Sequence, residues 1–200
     1  TMKQYVRYVV IALISIVFLP FQSKCDEGMW WPHLIEKMNH AKMQKMGLTL
    51  SAEEIYSINN SSLKDAIVSI GGCTAEMVSN QGLLLTNHHC GYGRIAALSS
   101  VENDYITNGF WAMKQDEELH AKGMIALFLV RIEDVTEKIT SKLNDDMTEA
   151  DRNTVIAKMY KTIIEEAIEN TDYSAEVKGS YYNNAFYLFV YETYLDVRLV

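Results

Sequence analysis

Lys3 and Arg7 precede a run over residues 8–21 that holds no charged side chain, the layout of a secretory signal with a basic start and an apolar stretch. The apolar core over 9–19 is too short to span a bilayer, and Pro20 ends any helix that forms there. Ser23 and Cys25 offer small residues at the −3 and −1 positions of a cleavage site before Asp26. A buried N-terminal helix or a membrane anchor is the competing reading. Lys24 stands where a lipoprotein has a small residue before its modified cysteine, which argues against a lipid anchor on Cys25. The expectation is a signal peptide over 1–25, a mature chain over 26–200 with no stable membrane anchor, and a periplasmic or secreted location.

Cleavage at that point removes Lys3, Arg7 and Lys24 but no acid, which deepens the net charge from −8 to −11. With 18 Lys and Arg against 26 Asp and Glu, the chain lacks the basic surface that nucleic acid or anionic membranes require, so no nucleic-acid partner is expected. Cys25 leaves with the signal, and Cys73 and Cys90 remain. In an oxidising compartment an even pair reads as one disulfide, whereas in the cytosol the same pair would be buried free thiols.

Residues 33–46 carry Leu34, Met38, Ala41 and Met46 at near-helical spacing, and Gly47 closes that helix. Ser51 to Glu54 has the form of a capping box opening a short second helix. Residues 66–70 form a β-branched run expected as a strand, followed by extended segments over 74–79 and 83–86 around a tight turn at Asn80-Gln81-Gly82. A further strand is expected over 125–132. The clearest helix runs over about 148–170, with Val155, Met159, Ile163 and Ala167 on one face. Residues 185–191 are strongly apolar, and 196–200 read as a strand cut short, so the chain is expected to be truncated and to expose apolar surface over 186–194.

Chemistry concentrates in Gly71-Gly72-Cys73-Thr74 and Gly82-Leu83-Leu84-Leu85-Thr86-Asn87-His88-His89-Cys90-Gly91. An apolar strand ending in Thr, two intervening residues, then His and Cys, with a second Cys just upstream across a hairpin, resembles the histidine corner of trypsin-like serine peptidases. A serine hydroxyl is a poor nucleophile at neutral pH and needs an imidazole in reach to take its proton. In that resemblance the residue before the second cysteine is the general base, which is His89. The other readings are inert turn or core histidines, or a metal site on His88, His89 and Cys90. Neighbouring side chains on a strand point to opposite faces and no further ligand is at hand, so no metal and no cofactor is expected.

Five blocks, one of them the histidine segment itself, extend the likeness: Asp26-Glu27-Gly28-Met29-Trp30, then 86–93, Gly109-Phe110-Trp111-Ala112, Arg131 to Thr136, and Tyr187 to Glu192 with Asp196-Val197-Arg198. Together they resemble the bacterial dipeptidyl-peptidase 7 and dipeptidyl-peptidase 11 family across the whole mature chain, with Ala75 standing where the family has Gly. The resemblance implies a mainly β fold with added helices, the N-terminal part of a trypsin-like double β-barrel, cut before the second barrel and the helical cap domain. It implies a serine-type dipeptidyl aminopeptidase that acts on peptides with a free N-terminus and works as a homodimer. It also sets the triad aspartate and serine beyond Val200, so the 200-residue chain alone is expected to be inactive. An exported non-catalytic β-domain and a trypsin-like endopeptidase are the alternatives. Asp104, Asp134 and Asp196 read as turn, cap or surface acids, Trp30, Trp31 and Trp111 as packing residues, and His33, His40 and His120 as solvated.

Overall fold

The computed structural model describes residues 30–200, so the expected signal peptide and the first residues of the mature chain lie outside the described residues. Pro32–Val200 forms one structural unit, and Trp30 and Trp31 belong to the preceding one. Among the described residues no helix is long and apolar enough to cross a membrane.

Among the described residues eight strands form two antiparallel sheets. They are β1 (Ile67–Ile70), β2 (Cys73–Met77), β3 (Leu84–Thr86), β4 (Leu119–His120), β5 (Ala126–Asp134), β6 (Ser174–Ser180), β7 (Ala185–Tyr194) and β8 (Arg198–Leu199). Six of them build the main sheet in the order β3-β2-β1-β5-β7-β6, and β4 pairs with β8 in a small ribbon. The helices are α1 (Ile35–Met38), α2 (His40–Lys45), α3 (Ala52–Ile55), α4 (His88–Leu98), α5 (Tyr105–Asn108), α6 (Thr136–Thr140) and α7 (Glu149–Ile168). The architecture is mainly sheet with helices, as the sequence suggested.

Local chemistry explains much of this. Ile70 and Cys73 face each other across a two-residue turn, and Gly71 and Gly72 both hold positive φ, at 54° and 87°, which the tight hairpin turn requires. A side chain at Gly71 would also stand 2.8 Å from the Met124 sulfur. The Ser51–Glu54 capping box is formed and opens α3. Thr148 caps α7, accepting the Asp151 N–H at 3.2 Å while its hydroxyl donates to the Asp151 carboxylate at 2.7 Å. The helix expected over 33–46 is broken at Asn39 into α1 and α2.

Two cores result. One lies between α6, α7 and the β6–β7 pair and contains Val135, Ile139, Ile156, Ile163, Val177, Phe186, Leu188 and Val190. The buried face of α7 therefore runs through Ile156 rather than the expected Val155. The other core joins Val68, Ile70 and Ala75 to Ala121, Met124 and Ala126.

Residues 186–190 are all buried, none more than 6% exposed, which corrects the expectation of bare apolar surface there. The even positions of β7 face the α6–α7 core, and on the other side Tyr187 meets His33 edge-on at 5.3 Å. Of the large apolar side chains at the end of that stretch, Tyr194 and Leu195 stand open. β6 had no expectation attached: its Glu, Lys and Gly leave Val177 as its one buried side chain.

Candidate functional site

The segment that carries His88 and His89 is not a strand end. Thr86 closes β3, its hydroxyl donating to the Thr74 carbonyl at 2.8 Å, and Asn87 is the extended N-cap of α4. His88, His89 and Cys90 are the first three residues of that helix, so their side chains fan out at helical rather than alternating angles. The cause is a chain reversal at Asn87, whose carbonyl accepts the Cys90 N–H at 3.0 Å. His88 turns to Tyr92, ring to ring at 5.6 Å in an edge-on contact.

His89 is exposed, and its imidazole has no hydrogen-bond or ion-pair partner among the described residues. Beside it Cys90 is joined to Cys73 at the start of β2, with Cα atoms 6.0 Å apart. A ring nitrogen of His89 and the two sulfurs lie within 4.8 Å of one another. That three-atom cluster was hidden in the sequence, because it needs the helical turn at 88–90 to swing His89 toward Cys73. The helix itself is held from its far side, where the Arg94 guanidinium donates to the Gly123 carbonyl at 3.1 Å. The cross-link fixes the backbone on which the imidazole rides to a strand of the main sheet, and it leaves the ring open to solvent.

The other candidate residues fall elsewhere. Asp104 caps α5 through the Thr107 N–H at 3.0 Å, and Asp134 accepts the Thr136 N–H at 2.9 Å. Asp196 sits beside the β4–β8 ribbon, where hydrogen bonds from Arg198 and His120 hold its carboxyl down at about 2. None of the three approaches His89 as a hydrogen-bond partner. Trp111 is 81% exposed. His40 pairs with the Leu50 carbonyl at 2.9 Å. His33 corrects its solvated reading: its ring nitrogens are shielded from solvent, the ring packs between Tyr56 and Tyr187, and burial lowers its pKa against the pull of Asp134.

An exposed imidazole riding on a disulfide-anchored helix start, on a mainly antiparallel frame, is an arrangement suited to acid–base work on a bound substrate. Comparison with known proteins gives the family. The Peptidase S46 model matches residues 25–200, and the chain belongs to that family. It is 43% identical over 197 residues to dipeptidyl-peptidase 7 of Capnocytophaga gingivalis, covering 97% of this chain and 28% of that protein. It is 45% identical over 174 residues to an Asp/Glu-specific dipeptidyl-peptidase of the same organism, covering 86% of this chain and 24% of that one. Among solved structures it resembles Porphyromonas endodontalis DPP11 in complex with the dipeptide Arg-Glu, with a TM-score of 0.78 and 38% identity over 88% of this chain and 26% of that one. The chain thus spans about a quarter of the length of the relatives it matches.

Proposed function

We propose that this chain contributes the general base of an exported serine dipeptidyl-peptidase, and that the base is His89. The observation that carries the reading is the exposed His89 imidazole on the first turn of α4, tied through Cys90 to Cys73. His89 takes the proton of a serine hydroxyl as it attacks the scissile carbonyl and returns it to the leaving amine. The serine, its oxyanion-stabilising N–H groups and the aspartate that orients the imidazole come from sequence beyond Val200. The 26–200 stretch then belongs to the catalytic domain of a trypsin-like double β-barrel that also carries a helical cap. The enzyme acts on peptides with a free N-terminus, in the periplasm or outside the cell, as a homodimer.

Membership of Peptidase S46, relatives named as dipeptidyl-peptidases and a structural neighbour holding a dipeptide support this reading. The test uses a polypeptide extended to the length of those relatives and a fluorogenic dipeptide substrate. His89→Ala is expected to lower kcat by about 10⁴-fold or more with little change in KM, the scale of losing one triad member. His88→Ala is expected to keep most of the activity. Full turnover by His89→Ala would sink the assignment. Cleavage of an N-terminally blocked peptide at the same rate would favour an endopeptidase instead.

A further inference from the structure

In the present form the two sulfurs beside His89 are bonded to each other and are poor donors to a metal. Cutting that bond would leave two thiols and an imidazole whose donor atoms lie within 4.8 Å of one another. We propose that reduction of Cys73–Cys90 converts this corner into a Cys2His site for a divalent ion of the zinc type, which then occupies His89.

The chemistry balances with a dithiol as reductant. One of its thiolates attacks a sulfur of the bridge, the mixed disulfide is resolved by its second thiol, and two electrons and two protons pass to the protein. Cys73 and Cys90 leave as thiols and the reductant leaves as a cyclic disulfide. The ion then displaces one proton from each thiol and accepts the lone pair of the neutral imidazole, with no further electron change.

The geometry suits the ion. Zinc–sulfur and zinc–nitrogen bonds of about 2.3 and 2.0 Å in a tetrahedron put donor atoms roughly 3.4–3.8 Å apart, so the two sulfurs must part once their bond is cut, while a His89 ring nitrogen already lies within 4.8 Å of both. The Cys73 and Cys90 Cα atoms, 6.0 Å apart, let both side chains reach one ion without moving β2 or α4. Two thiolates and one imidazole are a donor set that selects zinc over magnesium or calcium. Both cysteines are half-buried and His89 is exposed, so a small dithiol and a hydrated ion have a way in, and the fourth position stays open to water. On the peptidase reading the consequence is a switch: a metal on the imidazole lone pair leaves nothing to accept the serine proton. Metal binding itself does not depend on that reading.

Cobalt(II) is the probe, because thiolate ligation gives it a charge-transfer band that imidazole or carboxylate ligation does not. The 200-residue chain carries three cysteines, so Cys25→Ser is the background. After reduction with dithiothreitol and its removal without air, the chain is expected to bind one Co²⁺ with the thiolate band and tetrahedral visible bands, and Zn²⁺ is expected to displace it. The unreduced chain should show neither band, and Cys73→Ser should lose most of the binding. His89→Ala should weaken Co²⁺ by at least about tenfold, the least that losing even an outer partner costs, while His88→Ala leaves it unchanged. Absence of the thiolate band in the reduced chain overturns the proposal. So does an equal effect, or none, of the two histidine substitutions, which is what a chain unfolded by reduction and binding cobalt loosely would give. Since the readout is spectroscopic, a failed peptidase assignment and a failed metal site remain distinguishable.

Discussion

His33 shows how one side chain becomes a stability sensor. Burial between Tyr56 and Tyr187 lowers its folded-state pKa below the ordinary 6.5, with the Asp134 carboxylate opposing. Just below pH 6.5 the unfolded chain therefore binds more protons than the folded one, so the contribution is complete above that pH and is lost as pH falls through the folded value. The urea midpoint is expected to drop between about pH 7.5 and pH 5, and His33→Phe, which keeps the edge contact with Tyr187, is expected to flatten that part of the profile. An unchanged slope in the variant would mean another group senses the acid. Nearby, β5 shifts register between Leu129 and Arg131, and the Ile132 N–H donates to the Tyr56 hydroxyl at 2.8 Å instead of a strand partner. Tyr56→Phe strands that buried donor, at an expected cost of about 1–3 kcal/mol in chemical denaturation. Neither role was legible from residue type, since each needs a partner far away in sequence.

Elements differ in how openly the sequence declares them. α7 was readable because its cap and apolar stripe agree, and its hold on the sheet is concentrated in Ile163, which is 2% exposed. Ile163→Ala is expected to cost about 2–5 kcal/mol, measured as a fall in the urea midpoint. β1 was readable from its β-branched run, and β2 and β3 from the glycine turn between them. α4 was not: Gly91 and Gly93 weaken it by about 1 kcal/mol each relative to Ala, and it buries no residue completely, so neither propensity nor periodicity announces it. β6 hid for a different reason, with too few apolar side chains to alternate. The turn joining β6 to β7 holds Tyr181, Tyr182 and Asn183 at positive φ of 51°, 58° and 63°. Tyr182 is fully exposed, so no packing compensates its strained backbone. Tyr182→Asn, a residue more tolerant of that conformation, is expected to raise Tm by roughly 1–4 °C, following a gain of about 0.5–1 kcal/mol. A lower Tm would show that the ring has a contact the turn depends on.

At the scale of the whole chain the cross-link was legible and the site's shape was not. The two cysteines that an expected signal cleavage would leave were enough to pair Cys73 with Cys90, and the structure joins them. That His89 rides on a helix, within reach of both sulfurs, depended on a chain reversal at Asn87 that no local pattern marks. The bond closes a separation of 17 residues, worth ~3 kcal/mol in the chain-entropy view. That stabilisation is unevenly shared. α7 sits on a core of eight buried residues and keeps itself in place. α4 is eleven residues long, too short to persist alone in water, and is held mainly by Cys90 at one end and by Arg94 on Gly123 further along. The double variant Cys73→Ala with Cys90→Ala is therefore expected to lose about 3 kcal/mol globally, a Tm fall of roughly 6–12 °C. Hydrogen exchange under native conditions should show amides of α4 losing protection first while those of α7 keep theirs, because local opening follows the element with least buried contact. Equal loss in both helices would mean the bond stabilises only through the unfolded chain. Selective loss in α4 would mean that it also holds the turn carrying His89.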